Sequence, residues 1–362
     1  MDSVKDKIIT AIKSDSFFDI VCEEYLEDRK GEKVLGNILS ELHNQGSIDF
    51  LSLFCTLGKS DNRQRLYNLT RIFSDTLPDI NDTTSNSLKA VTHLLKLEVN
   101  SYLLWESFDS FCRKDKIRPH ELLDISLGDI DPDVDSLSRA IKIGVIFDPI
   151  YYTSKAIELI GSSDQLICQR ALYSLGQINL FGNVEKLELA VSTTLNRVLG
   201  SESDILLSTG LRTLFNLTRQ NEGLKTKLTA FLNLHATQEG KGFIQVASSI
   251  LCLNGDEVSE VECELLLAIC KNYKTEDLQT ISNLDYTLMN FVKNNQFSKA
   301  ADFLDSFFLN TNYTVSISEF DDFSRELIDH SETHLSSIVT KWLLSKKIIY
   351  GFFEKVDQEL KR

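Results

Sequence analysis

A set of apolar and small residues in the middle of the chain recurs at a nearly fixed interval. Five such residues reappear 39 positions later, so that Ile167, Ala171, Leu172, Leu175 and Ile178 correspond to Leu206, Gly210, Leu211, Leu214 and Leu217. A further shift of 37 positions gives a weaker match, in which the pattern is kept by Phe243, Ala247 and Leu251. Periods of this length are typical of repeat proteins whose unit is a pair of helices.

Each recurring segment is followed by a second apolar stripe. The three stripes consist of Leu187, Val191, Leu195 and Val198, then Leu224, Leu228 and Leu232, then Val258, Val261, Leu265 and Ile269. Apolar residues three and four positions apart share one face of a helix, so the predicted unit is an antiparallel pair of amphipathic helices. The small residues Ala171, Gly210 and Ala247 let one helix approach the next more closely than a leucine would.

Helical spacing also dominates the rest of the chain. Only 4 Pro and 16 Gly occur among 362 residues, so few positions force a helix to end. The pattern predicts helices over residues 17–26, 35–42, 48–57 and 64–73, and another that begins at Ser87. Residues 77–87 and 129–135 combine Pro with acidic or polar residues and are predicted to be loops. The expected fold class is therefore all-α.

Residues 310–318 contain the best candidate for a short strand in the sequence. Next to it, Ser316 and Glu319 form a capping-box pattern that predicts the start of a new helix.

Residues 164–178 resemble the first helix of a HEAT repeat. That family has an Asp before the helix, an Arg before a small residue and Leu-Gly near the end, and this chain matches with Asp164, Arg170, Ala171, Leu175 and Gly176. The resemblance, which extends to armadillo repeats, covers residues 135–273 and implies an irregular α-solenoid of antiparallel HEAT-like helix pairs. It also implies that Asp and Arg join neighbouring repeats through a ladder of hydrogen bonds. Because Thr209 and Val246 stand at the later Arg positions, although Asp204 is kept, this ladder is expected to be incomplete.

The breaks in the pattern divide the chain into four predicted sections. Residues 1–76 form an N-terminal helical section, and residues 87–128 form linking helices. Residues 135–273 contain the array of helix pairs. Residues 274–362 are predicted to hold C-terminal helices that cap the array by covering its last apolar face.

The charge balance disfavours nucleic acid as the main ligand. The chain has 53 acidic and 38 basic residues, and an even spread of its net charge of −15 would repel a phosphate backbone. Its seven scattered cysteines are typical of free thiols in a reducing compartment. The N-terminus lacks the apolar core of a signal peptide, and no stretch has the length that crosses a bilayer. The expected location is the cytoplasm or nucleus, with no membrane as partner.

The residue patterns that carry catalytic or metal chemistry are incomplete. A phosphate-loop ending at residues 58–60 lacks its upstream glycine, and the acidic run 129–135 lacks the Gly and Glu of a calcium loop. His330 and His334 are four positions apart, as two zinc ligands on a helix are, and they are the candidates for a metal site. Ser331 replaces the Glu that a metalloprotease needs. No catalytic residue and no cofactor is predicted.

Three functions remain open at this point. The leading hypothesis is a non-catalytic scaffold, adaptor or regulatory subunit that binds a protein partner through a helical-repeat surface within a larger complex. The alternatives are a nucleic-acid-binding repeat protein and an all-helical enzyme without a recognisable motif. Basic residues near the end of the chain are expected to complement helix ends or keep the tail soluble, and alternatively to form an electrostatic contact patch: Lys341, Lys346, Lys347 and Lys355.

Overall fold

The computed structural model describes residues 2–28, 34–58, 62–97, 100–128, 135–274, 277–312, 314–330 and 340. Every regular element in these residues is a helix, so the predicted all-α class is confirmed. The strand candidate within residues 310–318 is wrong for the residues described, which form a helix end, turns and a short 3₁₀ helix. The chain divides into two compact units, Met1–Ala156 and Ile157–Arg362.

The described helices of the first unit are α1 (Asp2–Lys13), α2 (Phe17–Asp28), α3 (Val34–Asn44), α4 (Phe50–Phe54), α5 (Arg63–Thr76), α6 (Thr84–Leu95), α7 (Ser101–Cys112), α8 (Ile117–Gly128), α9 (Ser136–Phe147) and α10 (Pro149–Ile160). The last turn of α10 belongs to the second unit. The helices stack in two rows, because α3, α5, α7 and α9 contact one another in succession, and so do α4, α6 and α8.

The helices predicted over residues 17–26, 35–42 and 64–73 correspond to α2, α3 and α5, whereas the helix predicted over 48–57 is limited to α4. The predicted loop over residues 77–87 is wrong at both ends. Leu77–Asp79 forms a 3₁₀ helix, and α6 begins at Thr84. The early start has a local cause, since the Thr83 side chain accepts a hydrogen bond from the Asn86 backbone N–H and caps the helix.

The described helices of the second unit are α11 (Gln165–Gln177), α12 (Val184–Val198), α13 (Asp204–Thr218), α14 (Lys225–Leu234), α15 (Lys241–Asn254), α16 (Glu260–Cys270), α17 (Leu278–Lys293), α18 (Phe297–Asn310) and α19 (Asp321–His330). One row is formed by α11, α13, α15, α17 and α19, and α14 contacts α16 beside it. The Ser316 and Glu319 capping box is present, although it caps the 3₁₀ helix Ile317–Glu319 that precedes α19.

Hydrogen bonds between next-nearest elements join residues at a recurring sequence separation. In the first unit the separations run from 30 to 37 positions for the pairs Arg139–Asp109, Ser107–Ser74, Asn44–Asp79, Lys5–Glu41, His93–Leu57 and Thr84–Glu121. In the second unit they run from 35 to 41 positions for the pairs Asn283–Ser248, Arg212–Ser249, Phe243–Asp204, Asn216–Gly176 and Thr213–Leu172. A period close to that of the central repeat is therefore present in the contacts of both units.

Candidate partner-binding surface

A strip of aromatic, basic and apolar side chains lies along the row from α11 to α17. It consists of Tyr173, Arg212, Leu253 and Tyr286, and it is named here the α11–α17 strip. Tyr173, Leu253 and Tyr286 are 47%, 73% and 45% exposed. Tyrosine and arginine are among the residues that contribute most to binding at protein interfaces. The strip is therefore a candidate contact surface.

Arg212 connects the helices that carry the strip. Its guanidinium donates hydrogen bonds to Ser249 Oγ at 2.7 Å and to Asn254 Oδ1 at 3.5 Å, both on α15. Burial lowers the pKa of Arg212, and the hydroxyl of Tyr173 on α11 opposes that change. One side chain thus interacts with groups on both neighbouring helices of the row.

The strip adjoins a cavity of about 500 Å³. This cavity lies between the C-terminal parts of α15 and α17 and the first turns of α16 and α18. Leu253 and Tyr286 of the strip line it, together with the carboxamide side chains of Asn290, Asn294 and Gln296. Concave sites of a few hundred cubic ångströms with a small number of placed polar groups are typical of ligand pockets.

An ion pair forms part of the cavity wall. Lys299 on α18 donates a hydrogen bond to Glu260 on α16 at 2.7 Å, and its ammonium lies 5.2 Å from the centre of the Phe291 ring. Burial lowers the pKa of Lys299, but the bond to Glu260 and the nearby Cys263 outweigh it and raise that pKa. Burial also raises the pKa of the Cys263 thiol, which keeps the thiol protonated at neutral pH.

The first turn of α16, which carries Glu260 and Cys263, is held by a capping box. Ser259 Oγ accepts a hydrogen bond from the Glu262 N–H at 3.4 Å, and the Glu262 carboxylate accepts one from the Ser259 N–H at 2.9 Å. The same carboxylate pairs with Arg219, just after α13, at 2.9 Å. Burial by itself would raise the pKa of Glu262, but the bonds from Arg219 and Ser259 outweigh it and lower that pKa. A cap and a buried ion pair therefore position this side of the cavity.

The two aspartates of the HEAT-like pattern make different bonds. Asp164 caps its own helix, since its carboxylate accepts hydrogen bonds from the first free N–H groups of α11 at 2.8 and 3.1 Å. Asp204, the first residue of α13, accepts hydrogen bonds from the N–H groups of Gly242 and Phe243 at 2.7 and 2.9 Å. Asp204 therefore bonds to the backbone at the start of the next helix in the row, α15, and no arginine takes part in these bonds.

The predicted small positions are buried. Ala171 and Ala247 are fully buried, and Arg170 lies buried beside Ala171 in α11. A Cβ added at Gly210 would lie 2.4 Å from Val198 Cγ1, which is closer than real Cβ contacts. The space next to Gly210 is thus occupied by α12.

Most of the other residues that were predicted as metal or contact sites lie outside the described part of the chain. His330 ends α19, while His334, Lys341, Lys346, Lys347 and Lys355 lie outside the described residues, as do residues 129–134. Where the chain is described, no group of three or more His, Cys, Asp and Glu side chains is arranged to hold a metal ion. None of the described helices is long and apolar enough to cross a membrane.

None of the strip residues and none of the polar residues of the cavity was predicted as a site residue from the sequence. One signal for this region was present in the sequence, because Ser259 and Glu262 have the spacing of a capping box and mark the start of α16. The exposure of Tyr173 and Tyr286 had no such local signal, since it depends on which helices become their neighbours.

Comparison with known proteins adds little to this picture. No protein-family model matches the chain, and no curated protein matches it. Among solved structures, an engineered protein from the Northeast Structural Genomics Consortium aligns with 100% of this chain over 98% of its own. The identity is 11% and the TM-score is 0.35, and a likeness of that size carries no argument about fold or function.

Proposed function

We propose that this chain is a non-catalytic scaffold, adaptor or regulatory subunit that binds a protein partner through the α11–α17 strip and the adjoining cavity. The observation that carries the proposal is the exposure of Tyr173, Leu253 and Tyr286 along one row of helices, with Arg212 between them. Exposed apolar and aromatic groups that lie together mark interaction sites, and tyrosine and arginine are enriched where binding energy is concentrated.

The architecture proposed for this function is an irregular α-solenoid of antiparallel HEAT-like helix pairs. It is supported by the hydrogen bonds between next-nearest helices, such as Thr84–Glu121 in the first unit and Asn283–Ser248 in the second, which span 37 and 35 positions. In arrays of this kind each pair packs only on its neighbours, and an extended face stays available to a partner.

Charge favours a protein over a nucleic acid as the partner. The chain has a formal net charge of −15, and Arg212 is the one cation of the four-residue strip. A nucleic-acid surface requires several cations that neutralise successive phosphates. Apart from Arg212, the strip consists of aromatic and apolar side chains, which a protein partner can contact.

Affinity capture of the tagged chain from its native cells, at low salt and with or without nuclease, tests the proposed function. The wild type is compared with the double variant Tyr173→Ala/Tyr286→Ala. Because Tyr67 and Tyr102 are also exposed tyrosines but lie in the first unit, Tyr67→Ala/Tyr102→Ala is the matched control. Retained proteins are identified and quantified by mass spectrometry.

We expect a stoichiometric protein that resists nuclease and is retained by the wild type and the control. The strip variant is expected to lose it, because hot-spot residues contribute roughly 2 kcal/mol or more each. Equal retention by the strip variant would place the binding surface elsewhere. Retention of nucleic acid alone would contradict a protein partner.

Small-angle X-ray scattering of the isolated chain tests the proposed architecture separately. A compact globule of this length has a radius of gyration of about 21 Å. An array of helix pairs is expected to exceed that value clearly. A measured radius close to that of the compact globule would contradict the solenoid.

A further inference from the structure

The cavity beside the strip contains a set of neutral hydrogen-bonding groups without partners. Tyr286, Asn290 and Asn294 follow one another at four-residue spacing along α17, so they share one face of the helix, and all three line the cavity. Gln296 joins them from the N-cap position of α18, where its side chain makes no capping bond. No described residue hydrogen-bonds to the side chains of these four residues.

The charged groups among the described residues that line the cavity are one ion pair and one exposed carboxylate. The Lys299 ammonium is already bonded to Glu260 at 2.7 Å and lies over the Phe291 ring. Because Lys299 is the one cation among the described residues that line the cavity, an anion would have to compete with Glu260 for it. Asp256 also lines the cavity, but it is exposed on the 3₁₀ helix Gly255–Glu257, where water weakens its attraction for a cation. The groups left to recognise a ligand are neutral donors and acceptors.

A carboxamide carries both a donor and an acceptor, as a peptide group does. Two carboxamides one helical turn apart, Asn290 and Asn294, can each pair with the N–H and C=O of a main chain. Among peptide conformations, an extended chain has those groups free, whereas a helix uses them internally. Leu253, which is 73% exposed, and Phe291 provide apolar wall beside the carboxamides.

We propose that the cavity binds an extended peptide segment of the partner, with its main chain on Asn290 and Asn294 and one apolar side chain against Leu253 and Phe291. This inference rests on the proposed function and adds the chemical class of the bound segment. Neutral recognition of this kind is insensitive to salt, whereas a charged ligand would bind less tightly as salt rises.

A phage-displayed library of short random peptides, selected on the full chain, tests the assignment. Selected peptides are synthesised with a fluorescent label, and their affinity is measured by anisotropy at low and high salt. The test variant is Asn290→Ala/Asn294→Ala. Its control is Asn233→Ala, because Asn233 is an exposed asparagine on α14, away from the cavity.

We expect the selected peptides to share an apolar residue between uncharged neighbours and to bind equally well at both salt concentrations. Loss of two neutral carboxamide contacts should weaken binding about tenfold in the double variant, and the control should bind as the wild type does. Circular dichroism should show both variants folded, since the substituted side chains bond to no described residue.

Two results would overturn the assignment. One is a set of peptides that binds the double variant as tightly as the wild type, or no enrichment of peptides at all. The other is a basic or acidic consensus whose affinity falls steeply with salt. A cellular partner that the double variant still captures would remove the cavity assignment and leave the proposed function intact. Failure of the wild-type chain to capture any protein would contradict the proposed function, even where peptides bind the cavity.

Discussion

The two units use the same kinds of contact between stacked helices, but the recognised sequence repeat lies in the second unit. In the first unit, aromatic rings fill the space between helices, and Phe73 on α5 lies 5.7 and 5.2 Å from the ring centres of Phe50 and Phe54 on α4. In both units, side chains of one stacked helix also bond to the backbone of the next, and in the first unit the Ser107 hydroxyl on α7 donates to the Ser74 carbonyl on α5 at 2.9 Å. In the second unit, the Thr213 hydroxyl on α13 donates to the Leu172 carbonyl on α11 at 2.8 Å.

The small residues of the repeat are explained by where they lie in the second unit. Gly210 on α13 lies against Val198 on α12, where there is no room for a Cβ, and Ala171 and Ala247 are fully buried at the corresponding positions. A contact filled by rings can be built from various apolar residues of suitable total volume. The first unit has a similar contact period without a recognisable residue pattern.

The largest effect is expected from Glu262→Ala in the second unit. This change removes the α16 capping box and leaves the Arg219 side chain, which is 12% exposed, without its carboxylate. An uncompensated buried charge costs about 3–5 kcal/mol. Urea unfolding measures the loss, and hydrogen exchange of α13 and α16 should show that it begins there.

The control is Glu222→Ala, which breaks the exposed Glu222–Lys225 pair in the same unit. Exposed ion pairs contribute little, so this variant should unfold almost as the wild type does. A Glu262 variant no less stable than this control would show that the buried pair does not support the second unit.

Gly176→Ala tests the close approach of helices directly. An added Cβ would lie 3.0 Å from Thr213 Cα, a backbone atom that cannot move without shifting α13. Overpacking of this kind costs about 1–3 kcal/mol in unfolding free energy. Gly128→Ala in the first unit is the control, because a Cβ there meets nothing within 4 Å. Equal stability of the two variants would contradict a tight approach of α11 and α13 at Gly176.

A smaller loss is expected from Phe73→Leu in the first unit. Leucine keeps most of the apolar volume between Phe50 and Phe54, and repacked apolar exchanges cost about 1 kcal/mol. Since Trp105 on α7 lies in the same unit, its fluorescence can follow the transition during urea unfolding. A loss larger than that of Gly176→Ala would mean that the aromatic stacking is as demanding as the helix approaches of the second unit.

The smallest expected effect is on the pH dependence of stability. It comes from His235, which is buried between Phe231 and Phe243. Burial lowers the pKa of His235 below its usual 6.5, so the unfolded chain binds the proton more readily than the folded chain. Its contribution to stability is therefore complete above pH 6.5 and is lost as the pH falls below that value. His235→Leu should reduce the fall in urea midpoint between neutral and mildly acidic pH. If the urea midpoint of His235→Leu falls as much as that of the wild type, groups other than His235 cause the pH dependence.

Local sequence patterns predicted most of the helices whose positions can be compared with the structure. The spacing of apolar residues located α2, α3 and α5, because that spacing is a property of each segment by itself. The same reasoning failed at residues 77–87, where the cap at Thr83 begins α6 earlier than the apolar pattern does. Polar residues that cap a helix and polar residues that form a loop are alike in composition, so the pattern could not separate them.

By itself, the sequence determined the all-α class and the small positions at Ala171, Gly210 and Ala247, because periodicity and residue size are local. The tertiary structure decided the rest. It left Tyr173 and Tyr286 exposed while it buried Phe215 and Phe243, and it brought Glu262 to Arg219 across 43 positions. The physical reason is that burial and pairing depend on which distant helix becomes a neighbour, and a helical stripe specifies a buried face without specifying what covers it.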